Sequence, residues 1–175
     1  MEFQKYIACI CEGTAERVIM NLLLDNDKLN FVREDLLEED LLRCRNAKVF
    51  EEQYLRKGFD ERITVLRILD SRRENFKLSK AYMHKIKVIN VITAPEIEML
   101  IILKENKYSE YQKYKNSNMK PSDFCKSILK YPDVKSTGFI TDYFGDIDSL
   151  VRAIKEYKRV SNVQRGEYTL ADLLK

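Results

Sequence analysis

Tyr6-Ile7-Ala8-Cys9-Ile10-Cys11 is an unbroken apolar run that stops abruptly on Glu12-Gly13. A strand with one wet face alternates apolar and polar residues. A short continuous run instead fits a strand covered on both faces, as in the parallel sheets of α/β folds, and that strand is predicted over 3–11. The next residues keep that rhythm, with Val18, Ile19, Leu22 and Leu23 at helical spacing over 15–24. Thr14 is the expected N-cap of that helix, and Asp25-Asn26-Asp27 ends it. Residues 29–32 read as a short second strand. The acidic segment 33–42 is ambiguous, although its leucine pairs suit a helix. A clearer helix is predicted over 47–57, with Val49, Phe50 and Leu55 inward and Gly58 past its end. The run 63–69 is the third predicted strand, 75–84 a helix, and 86–93 the fourth strand; Pro95 then opens a helix through Leu103.

The order βαβαβαβα predicts an α/β fold with a parallel sheet of about four strands covered by helices, spanning residues 1–106. Behind it, 107–175 reads as a helical C-terminal extension. Tyr108, Tyr111 and Tyr114 follow a three-residue period among lysines, Pro121 opens a helix to about Lys130, a turn falls at 133–141, and a last helix runs over 146–159. With 175 residues, 45% apolar and 34% charged, the chain can bury a sizeable core without disulfides. Five glycines and three prolines favour regular elements with short connections.

Charge and cysteine content narrow the function classes. The 31 basic and 28 acidic residues leave a formal charge of +3, too balanced to imply nucleic-acid binding by itself. A modest basic stripe, Arg152, Lys155, Lys158, Arg159 and Arg165, is opposed only by Glu156. Cys9 and Cys11 are spaced i, i+2, with no His/Cys cluster around them, so a zinc site is not expected. Without a secretory signal the cysteines read as buried, reduced thiols of a cytoplasmic protein, and no apolar run is long enough to span a membrane. Neither a Walker loop nor G-x-G-x-x-G is present, which disfavours nucleotide hydrolysis and dinucleotide redox chemistry.

The chemistry-bearing residues fall where strands end. Glu12 follows the first run and Asp70 the third, so parallel pairing brings both to one rim, where open α/β sheets place their ligand sites. Carboxylates converging there suit a hard divalent cation. Glu16 lies one helical turn beyond Glu12. Glu98 sits one turn past the fourth strand among Ile97, Met99 and Leu100, company in which a carboxylate is paired or liganded. Arg72 and Arg73 stand beside Asp70 and can grip phosphate, or neutralise the carboxylates of a metal-free site. Glu12 can equally act on the dipole of its helix, and Asp70 can cap the segment after it. His84, the sole histidine, reads as a surface residue. The tyrosine stripe can pack on the core, or stack bases beside Lys107, Lys113, Lys115 and Lys120.

Cys11-Glu12-Gly13-Thr14-Ala15-Glu16, the strand ending on Asp70, and Ala94-Pro95-Glu96-Ile97-Glu98-Met99-Leu100 together resemble the Toprim fold. The chain is more closely similar to the small RloB-like and AbiLii-like proteins associated with phage defence. The resemblance covers residues 1 to about 105. It implies a Mg²⁺- or Mn²⁺-dependent nuclease acting on DNA or RNA, with Glu12 and Asp70 as metal ligands. Glu98 or Glu16 would complete the site, Arg72 and Arg73 would bind phosphate, and a defence-system protein is a possible partner. Toprim nucleases carry D-x-D after this strand, where this chain has Asp70-Ser71-Arg72. That departure keeps open a second reading, a nucleic-acid-binding or regulatory module that has lost catalysis. A binder of small phosphate ligands is a third.

Overall fold

The computed structural model describes residues 1–175 except 57–61, 72–74, 94–95 and 165; the side chain of Glu96 is also left out. Three strands form one parallel sheet in the order β1-β2-β3: β1 Tyr6–Cys11, β2 Ile63–Leu69 and β3 Lys87–Ile92. All seven residues of β2 are buried, as expected for the middle strand of a sheet covered on both sides.

The predicted second strand at 29–32 is not part of this sheet. Leu29 makes only an isolated antiparallel bridge to Leu174, and Asn30 N–H donates to the Leu173 carbonyl. Between β2 and β3 the predicted helix at 75–84 is absent; residues 75–79 are irregular and 80–85 form turns. Its apolar residues have separate destinations, since Phe76 stacks edge-on to Phe50 while Leu78 joins the core. The Ser79 amide is held by Glu51 Oε1 at 2.5 Å. The acidic segment forms two short 3₁₀ turns, Arg33–Asp35 and Leu37–Glu39, rather than an α-helix. Glu38 and Glu39 both have positive φ, which an α-helix cannot accommodate.

The side-chain alternation of the strands sorts the core into two layers. Ile7, Cys9 and Cys11 face the same side as Leu66, Ile68, Ile89 and Val91, under helix α1 (Thr14–Asp25) and the C-terminal helices. Ala8, Ile10, Ile63 and Val65 face the other layer, made by Leu37, Leu42, α2 (Ala47–Phe50) and the π-helical turn Glu51–Leu55. In α1 the buried stripe is Ile19, Met20, Leu23 and Leu24. In the 47–55 region Phe50 and Leu55 are buried as expected, the π turn between them bringing Leu55 to the face of Phe50, but Val49 is 42% exposed. The expected cap at Gly58 lies outside the described residues.

Beyond β3 come α3 (Glu96–Lys104), α4 (Tyr108–Lys115), α5 (Pro121–Ser127), α6 (Thr137–Tyr143) and α7 (Ile147–Val160). The region expected as a turn at 133–141 contains α6, whose N-cap Ser136 accepts from the Phe139 amide. Ile140, Leu150, Ala153 and Ile154 complete the layer over Cys9 and Ile68. Both sheet edges are covered. Leu42 exchanges backbone hydrogen bonds with Cys9 and Cys11 along β1, and Ile92 N–H donates to the Tyr168 carbonyl along β3. The four cysteines are free and buried. Among the described residues no helix is long and apolar enough to cross a membrane.

Candidate functional site

The carboxyl ends of the three strands set the site. Glu12 follows β1, Asp70 follows β2 and Thr93 follows β3, so parallel pairing brings all of them to one rim. The ladder continues into the site: Glu12 N–H donates to Ile68 O at 3.2 Å, and Thr93 N–H to Leu69 O at 2.7 Å.

Glu12 and Asp70 share this rim but not a face. The register pairs Ile10 with Arg67 and Cys11 with Ile68, so the side chain of Glu12 falls on the side of Arg67 and that of Asp70 on the side of Ile68. On the first side Glu12 Oε1 accepts from Arg67 Nη2 at 2.9 Å, and each side chain is only 1% exposed. The Phe76 ring lies 4.8 Å from the Arg67 guanidinium carbon, a cation–π contact that completes the enclosure. Arg45 Nη2 donates to the main-chain carbonyl of Glu12 at 3.0 Å. With exposed Arg43, Arg45 lines a cavity of about 270 Å³ that also touches Gly13 and Thr14.

On the other side Glu16 and Asp70 have no ion-pair partner among the described residues. Glu16 is 3% exposed. Its side chain folds back over the start of α1, so that a Cβ added to Gly13 would lie 1.9 Å from Glu16 Oε2. A side chain at position 13 would therefore displace the Glu16 carboxylate from this position. Gly13 rather than Thr14 is the N-cap, and no side chain caps it. Thr93 Oγ1 lies 2.9 Å from Leu69 O and 3.3 Å from Glu16 Oε1, so its single proton is shared between these two acceptors. Burial, and then the negative charge of Asp70, raise the Glu16 pKa above the usual carboxylate range, against its own backbone amide, Lys135 and Thr93. Asp70 itself is exposed.

Glu98 joins this corner from α3. Its side chain is 7% exposed; Oε1 meets Lys135 Nζ at 3.2 Å, while Oε2 has no hydrogen-bond partner among the described residues. Lys135 thus serves both Glu98 and, at longer range, Glu16. The buried Cys125 Sγ donates to the Glu98 carbonyl at 3.7 Å. Burial and the Glu98 charge push that thiol up to about 12.

Arg72 and Arg73 lie outside the described residues. The basic stripe on α7 is largely neutralised, by Arg152–Asp146, Arg159–Glu156 and Lys158–Asp172 ion pairs; Arg165 lies outside the described residues. His84 is exposed. Four contributors were not singled out from sequence: Arg67, Arg45, Thr93 and Lys135. Only Arg67 left a signal, a lone cation inside a β-branched run, which a buried strand accepts only opposite a counter-charge. Among the described residues no three His, Cys, Asp or Glu side chains are grouped to hold a metal ion by themselves. Compared with protein-family models, curated proteins and solved structures, the chain matches none.

Proposed function

We propose that the protein is a Mg²⁺- or Mn²⁺-dependent phosphodiester hydrolase of Toprim type, acting on DNA or RNA in phage defence or on a mobile element. The observation that carries this reading is Glu16: a buried carboxyl with no ion-pair partner among the described residues, its pKa raised by burial and by the neighbouring Asp70. Two like charges converging at the carboxyl ends of parallel strands are costly unless a cation or a proton joins them. Mg²⁺ is held by one or two carboxylates, with water and substrate phosphate filling its other positions. The donors at this corner fit that habit better than they fit a closed protein cage.

In this proposal Asp70 and Glu16 hold the cation, which would supply charge neutralisation and a more acidic water. Glu98, fixed by Lys135, keeps Oε2 with no hydrogen-bond partner among the described residues, and that oxygen would orient the attacking water and take its proton. Glu12, which the family resemblance makes a metal ligand, instead ties the β1 and β2 ends together through Arg67. Arg43 and Arg45 flank the rim and can contact backbone phosphates, as Arg72 and Arg73 are expected to do from sequence. The resemblance, rather than the geometry, supplies the substrate class and the expectation of a defence-system partner.

The Glu12–Arg67 bridge favours a second reading, a module that keeps the fold and binds nucleic acid without cutting it. A carboxylate already neutralised by an internal arginine has little need of a metal. One panel separates the two: DNA and RNA incubated with Mg²⁺, Mn²⁺ or chelator. Metal-dependent cleavage lost in Asp70→Ala supports the hydrolase; salt-sensitive binding with no cleavage under any metal supports the module.

A further inference from the structure

A cavity of about 250 Å³ opens beside the outer edge of β3, away from Glu12. Four tyrosines line it: Tyr108 and Tyr111 from α4, Tyr157 from α7 and Tyr168 from the tail that pairs with β3. The side-chain amides of Gln112 and Asn162 share the lining, and exposed Lys115 lies among the same residues. The volume falls below the usual range of drug-sized pockets and suits one planar heterocycle. Aromatic rings offer stacking faces, amides offer the donor–acceptor pairs that base edges read, and a lysine can meet a phosphate.

The placement of the cavity ties it to the acidic corner. Ile92 lines the cavity, while its neighbour Thr93 hydrogen-bonds Glu16. Met99 lines it as well, while its neighbour Glu98 meets Lys135. Two consecutive pairs of residues therefore form a common wall, with the tyrosines and Glu167 on one side and Glu16 and Glu98 on the other. The tyrosine stripe divides accordingly. Tyr111 and Tyr114 pack edge-on against Phe124, as a core stripe should, while Tyr108 and Tyr111 also face the cavity.

We propose that this tyrosine-lined cavity receives one unpaired nucleobase of a single-stranded nucleic acid, with the strand's backbone leading over the shared wall toward the acidic corner. A base paired in a duplex has its edges and faces occupied and cannot enter so narrow a cavity, so the site selects single strands or extruded bases. The base site stands on the cavity alone; the direction of the backbone rests on the reading of Glu16 and Asp70 given above.

The test is fluorescence anisotropy with the full chain in chelator, so that nothing is cut. The probes are end-labelled oligonucleotides of about 12 nucleotides: single-stranded DNA, single-stranded RNA, the blunt DNA duplex, and a DNA strand without bases. At least one of the single strands should bind about ten-fold or more tightly than the duplex and the abasic strand. Tyr168→Leu should weaken that binding about ten-fold, and Tyr168→Phe should restore it. Tyr168 is 39% exposed and meets β3 through its backbone, so both variants retain the fold. Gln112→Leu, on a half-buried helix position, is the second variant and should also weaken binding. Equal binding of the abasic strand or the duplex, no binding of either single strand, or wild-type affinity in both Tyr168→Leu and Gln112→Leu would overturn the assignment. Single-strand binding of this kind without any cleavage in Mg²⁺ or Mn²⁺ keeps the cavity's role and removes the hydrolase. Cleavage that ignores pairing and Tyr168 does the reverse.

Discussion

The two faces of the sheet's carboxyl rim treat their carboxylates in opposite ways. On one face Glu12 is enclosed with Arg67 and Phe76, and its charge is balanced inside the protein. On the other, the charge of Asp70 acts against that of Glu16, and Lys135, which acts on Glu16 at longer range, is bound to Glu98. The first arrangement fixes the strand ends; the second leaves negative charge for something from solution to balance. Position at a strand's end is therefore not enough to identify a ligand. The face on which the side chain emerges decides whether it is structural or available.

The sharpest way to break this comparison is to cut the paired side. Arg67→Met removes a buried ion-pair partner of Glu12 and should cost about 3–5 kcal/mol in urea unfolding. Glu12→Gln/Arg67→Met should recover most of that loss, since removing both charges also removes their desolvation. If Arg67→Met unfolds like the wild type, Glu12 is not structural.

On the open side, Asp70→Asn should leave the unfolding midpoint near wild type while lowering metal-dependent cleavage by about 10²–10³-fold. A smaller effect separates the faces by pH. Because the folded-state pKa of Glu16 is raised, its favourable contribution is complete below the ordinary carboxylate range and is lost as pH rises through the folded value. Glu16→Gln should therefore stabilise the metal-free protein at neutral pH, by about 0.5–1 kcal/mol, and flatten the dependence of its melting temperature on pH in the acid range. Mg²⁺ should raise the melting temperature of the wild type and not that of the variant.

The smallest effect concerns Cys125 beneath Glu98. With its pKa pushed up to about 12, the thiol should resist alkylation at pH 8 until the protein is unfolded. Its contribution to stability holds below the unfolded-state value of about 8.5 and is lost as pH rises toward 12. Rapid labelling of Cys125 in the native protein would show that this corner is looser than described.

What sequence could read followed from local rules. The strand expected over 63–69 formed with those bounds, and the one expected over 3–11 formed over its apolar run Tyr6–Cys11 alone, because a buried parallel strand needs no partner to announce itself. The segments 29–32 and 75–84 failed because their apolar residues are drawn to tertiary neighbours, Leu174 for one and Phe50 for the other, that periodicity cannot see. The rim was legible for the same reason as the strands. Its division was not: the face of Glu12 relative to Asp70 depends on register, and register emerges only when β1 and β2 are paired. Lys135 reaches Glu98 from the connection between α5 and α6, a segment read as a turn with no role.

The most direct test of the two-faced rim is Mn²⁺ titration by calorimetry of four proteins: wild type, Asp70→Asn, Glu16→Gln and Glu12→Gln/Arg67→Met. Asp70→Asn and Glu16→Gln should each weaken Mn²⁺ binding at least about ten-fold, while the double variant should bind as the wild type does. Loss of binding in the double variant with retention in Glu16→Gln would place the cation on the side of Glu12 and contradict the account.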